Sequence, residues 1–224
     1  DIYGQTVEEV LKTRNLDIHK VADARRNPDE LYAFIELHIE QGPILEKKNI
    51  EIGIVTDLAA PIRFLVKITG ITAHSGTTPM DMRSDALVAA AKTVLSVREC
   101  CSRKMEQGIV GTVGRINVKP GVINCVPGYA ELWVDVRGRD LGLLKDTVKE
   151  IGQTIEAIAP EEQEKTEIEL ISEAQPVHLD NHLATVIEQS AQKKGISHIR
   201  MVGGGGHDAG NLAGIVPTAI IHIP

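Results

Sequence analysis

An α/β layer interrupted by an inserted α+β module is the fold this sequence predicts, and three features point to it. Over about Ile62 to Glu173 the strand and helix signals run β-α-β-β-α-β, the split βαβ order of an antiparallel four-stranded sheet with two helices on one face. After Gln175 the signals read helix, strand, glycine loop, helix, strand, which suggests α/β with a parallel or mixed sheet. Before Pro61 a further strand carries a histidine and ends at Gly42-Pro43. The chain is therefore expected to leave the α/β domain near residue 61 and to return near residue 176, giving segments 1–61, 62–175 and 176–224.

Thr6 and Glu9 have capping-box spacing and open a short helix, and Asn27-Pro28-Asp29 is a turn. From Phe34 to Glu40 the residues alternate, with Ile35, Leu37 and Ile39 pointing one way and Phe34, Glu36, His38 and Glu40 the other. Beyond Gly42-Pro43 a polar stretch leads to an apolar strand from about Ile52 to Leu58, broken at Ala60-Pro61. A strand from Phe64 to Thr69 and a Gly/Thr/Pro loop precede a helix from about Ser84 to Met105, with Leu87, Ala90, Ala91, Val94 and Cys101 at helical spacing. Two strands, Ile109 to Val118 and Tyr129 to Val136, are joined through Pro120-Gly121 and Pro127-Gly128. Asp140 caps a second helix whose Leu141, Leu144, Val148, Ile151, Ile155 and Ile158 keep the i, i+3, i+4 pattern, and a strand from Thr166 to Ile171 closes the module.

At 224 residues, 42% of them hydrophobic, the chain can build one large or two modest cores. A net charge of -7 with scattered Lys and Arg argues against nucleic acid or an anionic membrane as the main partner. One Trp, three Tyr and two Phe offer little for base stacking. No apolar run is long enough to cross a bilayer, and no signal-peptide pattern is found. Cys100 and Cys101 are adjacent and Cys125 is distant, which makes neither a disulfide framework nor a zinc-finger spacing, so a reducing cytoplasm is the expected compartment. The start at Asp1, not at Met, reads as an internal fragment.

Several residues could carry chemistry. His38 sits at the C-terminal edge of its strand, where open α/β sheets keep their sites, and could ligate a metal; the plainer reading is a half-buried strand with a solvated polar face. The loop Gly70 to Met80 holds His74 among small hydroxyl residues, available either to donate to a developing oxyanion or simply to be solvated. On Glu131 to Arg137, Leu132, Val134 and Val136 face the helices. The other face shows Glu131, Trp133, Asp135 and Arg137, and Arg137 could fork a carboxylate or make an ordinary surface ion pair. Asn124 is either a turn former or an amide presented to a ligand. Gly203 to Gly206, before His207-Asp208, offer bare N–H groups to an anion, without a dinucleotide fingerprint or a Walker lysine. His19, His178, His182, His198 and His222 show no ligand spacing and read as structural or surface residues.

Five motifs occur in one order: Glu36-Leu37-His38-Ile39-Glu40-Gln41-Gly42-Pro43, Ala73-His74-Ser75-Gly76-Thr77-Thr78-Pro79-Met80 with Arg83 and Asp85, Asn124-Cys125-Val126-Pro127, Asp135-Val136-Arg137, and Gly206-His207-Asp208-Ala209. Together they resemble the amidase, hydantoinase and carbamoylase branch of the M20 dinuclear metallopeptidase family, over nearly the whole chain. The resemblance implies an aminopeptidase-like α/β catalytic portion with a mixed sheet. It also implies an inserted α+β lid of ferredoxin-like βαββαβ topology that forms a homodimer. Two divalent metal ions (zinc, manganese, cobalt or nickel) are implied in the intact parent, incomplete or absent in this chain. The implied activity is hydrolysis of a C–N bond in an N-carbamoyl or ureido amino acid, of the N-carbamoyl-L-amino-acid hydrolase, allantoate amidohydrolase or β-ureidopropionase type.

By the same resemblance His38 is a metal ligand, His74 stabilises the oxyanion, often across the dimer, and Gln41 contacts substrate. Asn124 and Arg137 hold the substrate's carboxylate side, and the loop through Gly206 and His207 lines it, although a serine is usual where this chain has Gly203 or a neighbour. The family's upstream His-x-Asp, bridging Asp and Glu-Glu pair have no counterpart before residue 36, and its last metal histidine falls beyond Pro224, so the isolated chain is expected to be inactive. The implied partners are a small anionic substrate and a second copy, with no nucleic acid and no membrane. Two other readings stay open. One is a non-catalytic dimerisation and small-ligand module, which would not need His38; the other is an M20 peptidase or deacylase, against which Glu40-Gln41 and Thr77-Thr78-Pro79-Met80 favour the carbamoylase branch.

Overall fold

Two sheets organise the chain in a computed structural model, which describes residues 4–161 and 164–224; Asp1, on which the fragment expectation rests, lies outside them. Helix α1 (Val7–Thr13) begins on the expected capping box, with the Thr6 hydroxyl accepting the Glu9 N–H at 3.2 Å and the Glu9 carboxylate accepting the Thr6 N–H at 2.8 Å. A 3-10 turn at Pro28–Glu30 precedes β1 (Phe34–Ile39). Helix α2 (Ile44–Lys48) then opens the polar stretch, to which the sequence reading assigned no element. Its cap is the Glu40 carboxylate, which accepts the N–H groups of Ile44 and Leu45 at 2.9 and 2.7 Å. That cap arrives from across a turn, so no adjacent Ser, Thr, Asp or Asn marks the helix in the sequence.

Strand β2 (Ile52–Leu58) is followed at once by β3 (Ala60–Thr69), which starts ahead of the expected Phe64. Pro61 is tolerated because it lies at the strand's beginning, where one missing N–H costs little, and its carbonyl still accepts the Ala174 N–H at 3.1 Å. The chain continues through β4 (Ala73–His74), α3 (Ala86–Ser102), β5 (Val110–Lys119), β6 (Cys125–Val126), β7 (Tyr129–Gly138) and α4 (Leu141–Glu161). It ends with β8 (Lys165–Glu173), β9 (Val177–His178), α5 (Asn181–Lys194), β10 (His198–Gly203), α6 (Asp208–Leu212) and β11 (Thr218–Ile223).

The first sheet has the order β5-β7-β3-β8 with every pairing antiparallel. Its dry face alternates Ile62, Phe64, Val66 and Ile68 on β3 with Ala130, Leu132, Val134 and Val136 on β7, all packed into one core with Leu144, Ile151 and Ile155 of α4. Helix α3 buries part of the expected set, Ala90 and Cys101 with Val94 packed beside them. Leu87 and Ala91 are exposed, while Ala86, Ala89, Ala90, Thr93, Val97 and Cys100 are buried. Small side chains let α3 approach both the sheet and α4 closely, where leucines would hold it away.

The second sheet has the order β1-β11-β2-β10, with β9 also paired to β2. It is mixed, as expected: β1 runs parallel to β11 and β10 parallel to β2, while β11 and β2 are antiparallel. Its core is smaller, built on Val55, Leu58, Leu179, Ala209 and Ile220. On β1 the solvated-polar-face reading is reversed. Ile35, Leu37 and Ile39 are 54%, 64% and 52% exposed, and it is Glu36, His38 and Glu40 that turn inward. Among the described residues no helix is long and apolar enough to cross a membrane.

The fully buried Leu132 and the 58% exposed Leu170 test where the first sheet's core lies. Leu132→Ala is expected to lower unfolding free energy by about 2–5 kcal/mol and Leu170→Ala by less than about 1 kcal/mol, compared by urea denaturation.

Candidate metal and ligand site

Strand alternation sets Glu36, His38 and Glu40 on one face of β1, and each is used differently. Glu40 caps α2. Glu36 reaches under the glycine loop, where one carboxylate oxygen lies 3.1 Å from His207 Nδ1 and the other accepts the Ala209 N–H at 2.8 Å. It thereby ties down both the imidazole and the first turn of α6. His38 lies edge-on to His207 with ring centres 4.6 Å apart. Glu36, His38 and His207 each bring one potential ligand atom within 4.8 Å of the others.

The neutral rings' tautomers follow from their partners. A carbonyl and a carboxylate can only accept, so His38 Nδ1 donates to the Ile39 carbonyl at 2.7 Å and His207 Nδ1 donates to Glu36. Both Nε2 lone pairs are left available, which is the arrangement of metal-bound imidazoles whose second nitrogen is held by a carbonyl or carboxylate. Two imidazoles beside a carboxylate suit zinc, cobalt or nickel, and manganese less well.

The sequence reading passed over one residue here. The β1–β11 register pairs His38 with His222, so both rings rise from the same face. His222 is 1% exposed, and among the described residues neither of its ring nitrogens has a hydrogen-bond partner. Its ring centre lies 5.2 Å from that of His207 and 6.4 Å from that of His38. Burial, and then the neighbouring His207 and His38, push its pKa down from 6.5 to about 4. The sequence held one signal, a lone polar ring in the apolar run Ala219 to Ile223, but only the pairing of strands from opposite ends of the chain shows what it meets.

Beside the histidines a cleft of about 820 Å³ opens between the two sheets, with Gln41, Arg63, Trp133, Arg137, Gly204 and His222 in its walls. Gln41 holds φ at 55°, in the left-handed region that residues with side chains rarely adopt. Arg137 stands on the open face of the first sheet, as its alternation predicts, but its fork is engaged. Nε and Nη2 donate to the two Asp135 oxygens at 2.9 Å each, and Nη1 donates to the Gly204 carbonyl at 2.8 Å. Arg63 Nε also donates to Asp135 at 2.9 Å. Burial alone would raise the Asp135 pKa, yet the hydrogen bonds from Arg137 and then Arg63 hold it below the ordinary value. Two guanidinium groups on one carboxylate leave this wall net positive.

The glycine loop divides by space. A Cβ on Gly203 would meet Leu58 Cδ2 at 2.8 Å, so a serine there requires the Leu58 side chain to shift, whereas Gly204 and Gly206 have open space around them. Gly204 and Gly205 lie in the cleft wall, Gly206 follows them, and the His207 side chain is 2% exposed beneath.

His74 and Asn124 are brought together elsewhere. Strand β4 pairs His74 with Cys125 of β6, and the Asn124 carbonyl accepts the Ser75 N–H at 3.0 Å. Arg83 braces this loop by donating to the Ser75 and Thr78 carbonyls. His74 Nδ1 accepts the Gly76 N–H at 3.1 Å, which leaves its protonated Nε2 to solvent. This hairpin follows the Thr69–Tyr129 end of the first sheet, whereas Arg137 is at the Ala60–Gly138 end. Strand residues at about 3.3 Å each put roughly 30 Å between those ends. Within one chain, then, His38, Gln41, Gly206, His207 and Arg137 form one group and His74 and Asn124 a second, so Asn124 and Arg137 cannot grip the same small molecule from one subunit.

Between pH 6.5 and about 4 the unfolded chain carries a proton on residue 222 that the folded chain lacks. Stability is expected to decline as pH falls through that window, and His222→Phe to remove this part of the decline, read from urea midpoints at several pH values.

The sequence pattern of peptidase family M20/M25/M40 matches residues 4–224. An uncharacterized hydrolase of Haemophilus influenzae is 38% identical over 224 residues, which cover 100% of this chain and 54% of the relative. An N-carbamoyl-L-amino-acid amidohydrolase of Pseudomonas sp. (strain NS671) is 35% identical over 198 residues, 88% of this chain and 48% of the relative. The crystal structure of an amidase of the hydantoinase/carbamoylase family from Burkholderia multivorans superposes with a TM-score of 0.86 at 32% identity, covering 100% of this chain and 53% of that one. This chain thus spans about half the length of the curated relatives it matches. With the β1 motif, the glycine loop and the whole intervening sheet inside the matched span, the chain belongs to peptidase family M20/M25/M40.

Proposed function

We propose that this chain carries the ligand cleft and part of the metal site of an amidohydrolase that cleaves a C–N bond in N-carbamoyl or ureido amino acids. The observation that carries the reading is the cleft itself, where a positive wall of Arg63 and Arg137 stands across from Gln41 and beside two imidazoles with free Nε2 lone pairs. The activity printed for the Pseudomonas relative and the family of the Burkholderia structure support the same substrate class.

In this reading His38 holds a divalent ion, and its Nδ1 bond to the Ile39 carbonyl keeps Nε2 unprotonated for that purpose. Such an ion, when bound, supplies Lewis-acid polarisation of a carbonyl and activation of water. Two ions belong to the reading, and their remaining ligands come from outside the set on this face. Arg137 gives up Asp135 or Gly204 to fork the substrate carboxylate, a planar match that two parallel N–H donors make well. Gln41 offers its amide to the ureido group, and the loop through Gly206 and His207 closes the same side. His74 donates its Nε2–H to the oxyanion as it develops, with the Asn124 amide beside it. Since this pair lies roughly 30 Å along the sheet from the cleft of its own chain, it serves the cleft of a second copy. Residues 62–175 then act as a lid and dimerisation domain of ferredoxin-like βαββαβ topology. Segments 1–61 and 176–224 form parts of one aminopeptidase-like catalytic domain.

Trp133 is the one tryptophan in the sequence and stands in the cleft wall, so its fluorescence reports occupancy. Titration with N-carbamoyl-L-amino acids is expected to change its emission saturably, and Arg137→Lys to weaken that binding about tenfold or more, because an ammonium lacks the fork. A flat response to every carbamoyl and ureido amino acid tried would defeat the reading. Turnover is a separate matter. The 224-residue chain supplied with zinc or manganese is expected to release no amino acid from N-carbamoyl substrates, whereas a protein carrying this sequence together with the remaining length of its relatives should do so. Both are read by amino-acid release.

A further inference from the structure

The reading above assigns the carboxylate and ureido ends of the substrate and leaves the rest of the cleft wall without a role. Along the open face of β7, Arg137, Asp135 and Trp133 follow one another, with roughly 6.6 Å between successive members. Their cross-strand neighbours change with each row: Arg63 and Thr112 flank Asp135, whereas Leu65 and Arg115 flank Trp133. The Arg137 guanidinium folds back onto Asp135, so it ends one such interval from the Trp133 row, not two. The wall thus passes from a charged end to an apolar one within the reach of a single amino acid.

Three observations give the apolar end a purpose. The Arg115 guanidinium lies 4.4 Å from the centre of the Trp133 ring and holds it by a cation–π contact. Strand β5 is irregular between Val113 and Arg115, at Gly114, where a Cβ would meet nothing within 4 Å, so the cleft stays open beside the strand. Ile171 of β8 stands in the same wall and is 50% exposed. Apolar side chains left bare in a concavity mark a place that an apolar group covers.

The charges limit what else the ligand can carry. Glu40 spends both oxygens on the N–H groups of Ile44 and Leu45. Asp135 keeps a partner in Arg63, whose Nε donates to it at 2.9 Å, when Arg137 turns to the ligand. Arg115 is turned onto the indole, so the wall offers the charge of Arg137 to one carboxylate, and a second would be desolvated without a partner. We propose that Trp133, with Ile171 and the gap at Gly114, is the side-chain subsite of this cleft, and that the substrate is an N-carbamoyl amino acid with one carboxylate and a bulky apolar side chain. The proposal rests on the reading of the cleft given above, with Arg137 at the carboxylate, and adds the group that lies against the indole. A ligand that is polar throughout, such as allantoate, or one without a side chain leaves that surface bare.

The test is binding to the 224-residue chain, measured by titration calorimetry with N-carbamoylglycine, N-carbamoyl-L-leucine, N-carbamoyl-L-phenylalanine, N-carbamoyl-L-aspartate and allantoate. The leucine and phenylalanine derivatives are expected to bind at least about tenfold more tightly than the other three. Trp133→Ala should cut the phenylalanine-to-glycine ratio to less than about threefold, since the indole supplies most of the apolar contact. Gly114→Leu puts a side chain into the open space of the same wall and should cut the ratio as far. A wild-type chain that binds the glycine and phenylalanine derivatives alike, or that prefers aspartate, would overturn the subsite and leave the carboxylate-binding cleft standing. So would an unchanged ratio in Trp133→Ala or, should that variant not fold, in Gly114→Leu. No binding of any carbamoyl amino acid is the different result that removes the cleft itself, and this subsite with it.

Discussion

One parallel pairing, β1 with β11, underlies the functional end of this molecule. It joins strands from opposite ends of the sequence in a register that sets Glu36 to Ile220, His38 to His222 and Ile39 to Ile223. A strand's side chains alternate, so a slip of one residue would send the whole Glu36, His38, Glu40 row to solvent and bring Ile35, Leu37 and Ile39 inward. What holds the row inside is that each of its three members has a hydrogen-bond partner. Glu40 satisfies two N–H groups of α2, Glu36 satisfies one of α6 and the His207 ring, and His38 bonds the carbonyl of Ile39. A polar row turned inward is costly unless paired. Here the pairing also shapes a metal-capable face.

The second constraint is the meeting of the two sheets. Arg137 donates across the cleft to Gly204 while its other nitrogens grip Asp135, so one side chain from the four-stranded sheet reaches the glycine loop of the mixed sheet. The loop can approach because Gly203 packs flat against Leu58 and Val55. The same strand that presents Arg137 at the cleft begins, eight residues earlier, beside the hairpin carrying His74 and Asn124. The long antiparallel sheet therefore sets Arg137 at one end and the His74 and Asn124 hairpin at the other.

Much of this was legible in the sequence. The Thr6 to Glu9 capping box, the Asp140 cap with its apolar run through Ile158, and the alternation of Leu132, Val134 and Val136 rest on local contacts, and each appears in the structure where those contacts predict it. Motif order was legible too, since Glu36 to Pro43, the His74 loop and Gly206 to Ala209 are recognisable as strings. Less local features were not. Helix α2 depends on Glu40 reaching forward across the Gly42-Pro43 turn. On α3, apolar spacing fits the Leu87 stripe as well as the Ala86 stripe, and only the close approach of α4 and the sheet selects the smaller side chains.

From its own residues the chain determines which segments are strands and helices, which face of each is apolar, and which side chains have the chemistry to bind a cation or a carboxylate, because these depend on neighbours within a few positions. Only the tertiary structure decides that the polar side of β1 is the inner one, that Arg137 is already paired with Asp135, and that His222 belongs with His38 and His207. Those outcomes depend on strand register and on groups more than a hundred residues apart in sequence, and no local spacing encodes which distant partner will arrive.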